Sequence, residues 1–263
     1  MQESLYIAAS GGMIQQRKLE TLANNLANVS TTGFKKDGLV FKEILPTLNP
    51  DLDFESTRTA LLEPKYSQRS VGYAAVNGFA THYKQGALLS TGNPLDVALE
   101  GDGFFAVQTQ EGVRYTRKGN FHLDEENRIV SASGQPLLSE SDQDLVVPPN
   151  SGEVTIDPQG AITVGNATQT VTIGQLKRVQ FRDKSQLQKD GDSLFRQVWG
   201  DTPEKASPTT TVKQGFTESS NVSVVEEMTK MIQTTRTFEA MQKLIQAVDD
   251  ANGLSVNSIA RVA

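Results

Sequence analysis

Cysteine is absent from all 263 residues, which excludes disulfides, thiolate metal sites and thiol nucleophiles. That absence suits a secreted or periplasmic protein as well as a cytosolic one. Histidine is nearly absent: His82 and His122 are the only two, and neither lies in a metal-ligand cluster. Basic charge is in deficit, with 25 Lys and Arg against 31 Asp and Glu for a formal net charge of -6. Nucleic-acid binding normally demands a basic face, and pairs such as Lys35-Lys36 and Arg117-Lys118 are too small to supply one. No apolar run approaches the roughly 20 residues that cross a bilayer, so no membrane insertion is expected. The start, MQESLYIAASGGMIQQRKLE, lacks a basic n-region and an apolar h-region. No cleavable signal peptide is expected, and any passage out of the cytoplasm needs another route.

Chemistry-bearing patterns are equally sparse. No G-x-S-x-G elbow occurs. Gly101-Asp-Gly103-Phe-Phe-Ala106 fits G-x-G-x-x-A, but a dinucleotide site needs a helix to begin there, and FFAVQT reads as a strand. A turn or bulge between strands is the expected outcome. Asp96, Asp102 and Asp124 could form an acid–base pair in space, although turn and strand-edge carboxylates are far commoner than catalytic ones. Sequons at Asn28, Asn166 and Asn221 are short enough to arise by chance. No catalytic, cofactor-binding or metal-binding residue is therefore assigned, and no cofactor.

What is present is periodicity at the two ends. Leu5, Ala8, Gly12, Gln15, Leu19, Leu22, Leu26 and Val29 recur at three- and four-residue steps, a heptad seam on one helix face. Ser30-Thr31-Thr32-Gly33 is turn chemistry and should stop that helix near Asn28 to Ser30. Val224, Met228, Met231, Thr235, Phe238, Met241, Ile245, Val248, Asn252, Val256 and Ile259 repeat the pattern. Ser223 and Glu226 form a candidate capping box, and Glu226–Lys230 and Glu239–Lys243 are favourable i,i+4 pairs. Gly253 is expected to end or bend this helix. From about Ala87 to Trp199 short alternating runs and glycine turns predict hairpins, with Asp157-Pro-Gln-Gly160 a type I turn.

The fold class predicted is α+β: paired, coiled-coil-like N- and C-terminal helices around a central all-β domain of hairpins. Residues 1–34 with 219–263 make the helical part, 35–86 an extended connector with a loop around Pro46 to Pro64, 87–200 the β domain and 201–218 a second connector. Isolated helices are marginal in water, while each fully buried leucine or isoleucine contributes roughly 1.5–3 kcal/mol. Pairing of the termini, with the remaining apolar faces meeting other chains, is the economical solution. Leu5, Leu19, Leu22, Leu26, Met228, Met231, Ile232, Phe238, Met241, Ile245 and Val248 are the expected assembly contacts. Asn24, Asn25 and Asn28, beside that seam, are expected to fix register.

These residues also carry a resemblance. LANNLANVSTTGFKK resembles the N-terminal signature of bacterial flagellar rod and hook proteins, and includes Phe34. GALLSTGNPLDVALEGDGFFAVQT and YTRKGNFHLDEENRIVSASGQPLL are similar to that family's β domain, and QGFTESSNVSVVEEMTKMIQTTRTFEAMQKLIQAVDD to its C-terminal helix. The resemblance covers nearly the whole chain apart from 40–75 and 200–212. It implies a non-enzymatic rod component of the flagellar basal body, exported through the flagellar type III apparatus and assembled in the periplasm with copies of itself and other rod proteins. TRTFEAMQKLIQAVDDANGLSVN leans toward the proximal rod form; the distal rod form or a hook-like axial protein is next. A non-flagellar secreted binding module, or a hydrolase built on the three aspartates, are the readings from other classes.

Overall fold

The computed structural model describes residues 2–44, 73–149, 151–166, 169–200 and 203–260. The loop expected around Pro46 to Pro64 lies outside them. The architecture is α+β, with one helix at each end of a β-rich middle. Helix α1 spans Gln2–Ala27 and α2 spans Val224–Ala260. At the end of α1, the amides of Asn28 and Val29 donate to the carbonyls of Asn25 and Leu26 at 3.2 and 3.3 Å, the tightened i,i+3 geometry of a closing turn. Helix α2 continues past Gly253, where an end or bend was expected. A helical glycine costs only about 1 kcal/mol against alanine, and the residues on either side keep the helix going.

Two compact units divide the chain: residues 1–24, 37–80 and 225–263 form one, and residues 25–36 and 81–224 the other. In the first unit α1 and α2 pack through small residues. A Cβ placed on Gly11 would lie 3.5 Å from Met241 Cε, and one on Gly12 would lie 3.9 Å from the Phe238 ring. One residue forward on α1 corresponds to three back on α2, as expected of helices running in opposite directions. The strands Asp37–Ile44 and Tyr73–Thr81 pair into a two-stranded ribbon, so regular structure occupies both ends of the segment expected as a connector.

The second unit is antiparallel β throughout. Its largest sheet has six strands in the order Leu187–Lys189, Leu194–Gln197, Gly112–Thr116, Phe104–Thr109, Arg178–Gln180, Glu204–Lys205. A three-stranded sheet runs from Gln169–Gln175 through Ala161–Asn166 to Glu153–Ile156. The Asp157–Gly160 turn joins its last two strands, with the Gly160 amide donating to the Asp157 carbonyl at 2.9 Å. Phe104 and Phe105 are adjacent and point to opposite faces, as a strand requires. Phe104 packs with Tyr115, Phe181 and Phe195, and Phe105 with Phe121, Ile129 and Leu176. Because both faces of this strand are buried, its sequence is a continuous apolar run and does not alternate.

Residues 201–218, expected as a connector, instead supply three strands: Glu204–Lys205, Thr211–Gln214 and Phe216–Glu218. Thr211–Gln214 pairs with Val97–Glu100, and Phe216–Glu218 with Leu88–Ser90. The connector reading rests on a Pro-, Thr- and Ser-rich composition in which Val212 and Phe216 are the strongly apolar residues. Val212 is nonetheless buried in the core.

Candidate functional site

Two features stand out: the surface of the paired helices and a buried charge cluster where the chain runs past the β core. On α2, Met231, Phe238, Met241, Ile245 and Val248 are half-buried at heptad steps, and on α1 Ala8 and Leu22 are buried with Leu19 and Leu26 half-buried. Leu5 lies on α1, but its side chain is outside the described part. Met228 and Ile232, assigned to the same surface from sequence, are 49% and 55% exposed. At about 100° per residue they point away from the seam, together with exposed Val225. Helix α2 therefore carries, besides the seam that meets α1, an exposed apolar patch near its start, which gives way to Arg236, Glu239 and Lys243 further along.

The asparagines divide. Asn24 is exposed, Asn25 is buried, and Asn28 is half-buried with its Oδ1 accepting from the Thr31 hydroxyl at 3.2 Å. Thr32 continues inward, its hydroxyl donating to Asn120 at 3.1 Å. Gly33 then turns with φ +68, and a Cβ there would stand 2.4 Å from the Lys118 nitrogen, so close approach as well as backbone sign requires glycine. Phe34 is buried, with Lys189 Nζ 4.1 Å above its ring.

Lys35 and Glu218, 1% and 0% exposed at the side chain, form an ion pair of 2.5 Å. The second Glu218 oxygen accepts from Arg117 Nη1 at 3.1 Å, and that guanidinium is 3% exposed. The remaining donors are largely satisfied: Lys35 Nζ reaches the Lys84 carbonyl at 2.9 Å and Arg117 Nη2 the Gly101 carbonyl at 2.6 Å. The Gly86 amide donates to Glu218 Oε1 at 2.9 Å, and the Gly33 amide to the Glu218 carbonyl at 2.7 Å. Asn221 completes the knot like an extra strand. Its Oδ1 accepts from the Lys36 amide at 2.8 Å, while Nδ2 donates to the carbonyls of His82 and Lys84 at 2.7 and 2.9 Å. Burial pushes the Lys35 ammonium below its ordinary range, opposed by the Glu218 carboxylate. The Arg117 guanidinium is lowered for the same reason, with the same opposition. Arg117 Nε is buried with no hydrogen-bond partner among the described residues. Lys35, Arg117 and Glu218 carry no local sequence signal, because the pairings join residues 183 and 101 positions apart.

The enzyme-like candidates do not converge. Gly101 and Gly103 turn the chain between the strands Val97–Glu100 and Phe104–Thr109, so no helix N-terminus is present to hold a pyrophosphate. Asp96 accepts from Asn93 Nδ2, Asp102 pairs with Lys184 at 2.9 Å, and Asp124 pairs with Arg128 at 2.8 Å. The hydrogen bond from Lys184 holds the Asp102 carboxyl below its ordinary range, against the opposing effect of burial. His82 and His122 are both exposed, and among the described residues no group of three or more His, Asp and Glu could hold a metal. An open cleft of about 770 Å³ is lined by Gln108, Glu111, Arg114, Arg128, Gln135 and Asp190, among others. Its cations are already matched: Arg114 by Glu111 and Asp190, Arg128 by Asp124, Glu126 and Asp144.

Comparison with known proteins gives a consistent pattern along the chain. Residues 5–35 match a family described as flagella basal body rod protein, 98–164 the flagellar hook protein FlgE/F/G D1 domain, and 213–256 the flagellar basal body rod FlgEFG protein C-terminal region. The flagellar basal-body rod protein FlgG of Buchnera aphidicola subsp. Schizaphis graminum is 36% identical over 255 residues, 94% of this chain and 95% of its own length. FlgG of Bacillus subtilis is 32% identical over 258 residues, 95% of this chain and 96% of its own. The basal-body rod protein FlgF of Caulobacter vibrioides is 30% identical over 262 residues, 100% of each chain.

Proposed function

The chain belongs to the flagellar basal-body rod protein family, and on that premise we propose that it is a structural component of the rod, built into a helical tube that transmits torque across the periplasm. Assembly with other flagellar rod proteins follows from membership of the family. Contact with further copies of this chain, delivery by the flagellar type III export apparatus, and a place in the proximal part of the rod belong to the same reading. The proximal placement rests on the ending TRTFEAMQKLIQAVDDANGLSVN.

The observation that carries the proposal is the second apolar surface of α2, the exposed patch of Val225, Met228 and Ile232 away from the seam. A helix whose second apolar side meets water gains nothing from it; covered by neighbouring helices, each of those side chains contributes roughly 1.5–3 kcal/mol. Leu19, Leu22, Leu26, Met231, Phe238, Met241, Ile245 and Val248 form the seam in this reading, while Met228 and Ile232 face the neighbours. Asn24 is the surface asparagine placed to read register.

The double variant Met228→Asp, Ile232→Asp tests this. Both side chains are about half exposed, so the β unit should unfold at the wild-type denaturant midpoint. A buried unpaired carboxylate at each neighbour contact is prohibitive, so rod incorporation and swimming should be lost. Normal motility from the double variant would refute the assignment of this face.

A further inference from the structure

We infer that Glu218 is a latch that makes closure of the second unit conditional on the last segment of that unit. Its carboxylate is shared by Lys35 and Arg117, both buried, and it also accepts from the Gly86 amide. The partners come from three separate stretches of chain, and Glu218 arrives last. Until residues 211–221 dock, the corner would contain two cations with no carboxylate bonded to either; the other anion near them, Asp102, is paired with Lys184. Like charges in a low-dielectric site repel strongly, and an uncompensated buried charge disfavours the folded state by more than about a hundredfold. The corner therefore stays open and hydrated in that interval.

Backbone pairing sets the same order. Leu88–Ser90 has Phe216–Glu218 as its strand partner, and Val97–Glu100 has Thr211–Gln214. The three-stranded sheet and the Phe121–Leu123, Ile129–Ser131 hairpin take no strand from this segment. Gln214 does fasten Glu153–Ile156, accepting from the Ile156 amide at 3.1 Å and donating to the Val154 carbonyl at 2.7 Å. Gly33, Lys35 and Lys36, at the end of the N-terminal signature, are held through Glu218 and Asn221. The signature thus loses these holds whenever the C-terminal passage is undocked, and keeps only lighter ones such as Thr32 to Asn120 and Lys189 over Phe34. This inference rests on the fold and stands or falls independently of the rod assignment.

Refolding of the full chain followed by pulsed hydrogen exchange tests it. Amides of 33–36, 86–90 and 97–100 should gain protection together with 211–221, after 161–166 and 169–175. Protection of 33–36 and 97–100 ahead of 211–221 would overturn the inference. At equilibrium, Glu218→Gln should raise the unfolding constant by more than about a hundredfold. The apolar triple replacement Lys35→Met, Arg117→Met, Glu218→Leu should recover at least about tenfold of that loss, because no charge is left stranded. A Glu218→Gln chain within about threefold of wild type, or a triple variant no more stable than Glu218→Gln, would sink the latch. A Glu218→Gln chain that fails to fold while the triple variant folds supports it.

Discussion

Gly119→Ala is expected to destroy the cooperative fold of the second unit. A Cβ at Gly119 would stand 1.6 Å from the Val97 carbonyl oxygen and 2.8 Å from its carbon. No rotamer relieves the overlap, because the Cβ itself is the offending atom. The Gly119 carbonyl also accepts from the Val97 amide at 2.8 Å, so separation of the two backbones breaks a buried hydrogen bond. Nor can the strand retreat: Val97, Ala98 and Leu99 are fully packed, and its other edge is tied to Thr211–Gln214. We expect a loss above about 4 kcal/mol, the tail of single-residue effects, read from urea unfolding of the full chain. Gly134→Ala supplies the control. Its φ is +81 but nothing lies within 4 Å of the added carbon, so only the left-handed strain of about 1–2 kcal/mol applies. Equal midpoints for the two variants would contradict the packing described for Val97–Glu100.

Deletion of residues 223–263 should give the cleanest separation of fold from function. The second unit retains Val212, Glu218, Asn221 and Val222, hence both C-terminal strands and the buried ion cluster. It should remain soluble and unfold in one transition. Rod formation and motility, in contrast, should fall to zero in a strain carrying only the shortened chain, since every α2 surface is gone. Deletion from residue 211 onward should remove the fold as well, because Val97–Glu100 and Leu88–Ser90 lose their partners. Motility restored by the 1–222 chain would mean that the helices are dispensable and the structural reading is wrong.

The legible parts of the sequence were those governed by local periodicity. Heptad spacing located both helices, and the turn chemistry of Asp157–Gly160 and Ser30–Gly33 located two reversals. The strands within 201–218 were illegible because Thr211–Gln214 and Phe216–Glu218 depend on partners more than a hundred residues away, and their own composition is that of a loop. Met228 falls into the seam by step counting because a mixed three–four step admits position 227 or 228, and the structure buries Glu227 instead; Ile232, expected only as an assembly contact, is exposed. The asparagines of the signature read as register marks for an assembly, and its Ser, Thr and Gly as a helix-ending turn. In the folded chain Asn28, Thr32 and Gly33 are engaged with Thr31, Asn120 and Glu218. Nothing in a single sequence couples Lys35 to Glu218; a lysine followed by a lysine and a glutamate among serines both read as solvated surface.

The central claim is that α1 and α2 are surfaces finished by neighbouring chains, and hydrogen exchange on the purified chain and on intact basal bodies tests it most directly. In dilute solution the amides of Gln2–Ala27 and Val224–Ala260 should exchange far faster than those of Phe104–Thr109, with strong protection once the rod is built. Helical amides in the lone chain as protected as those of the β core, and unchanged on assembly, would contradict it.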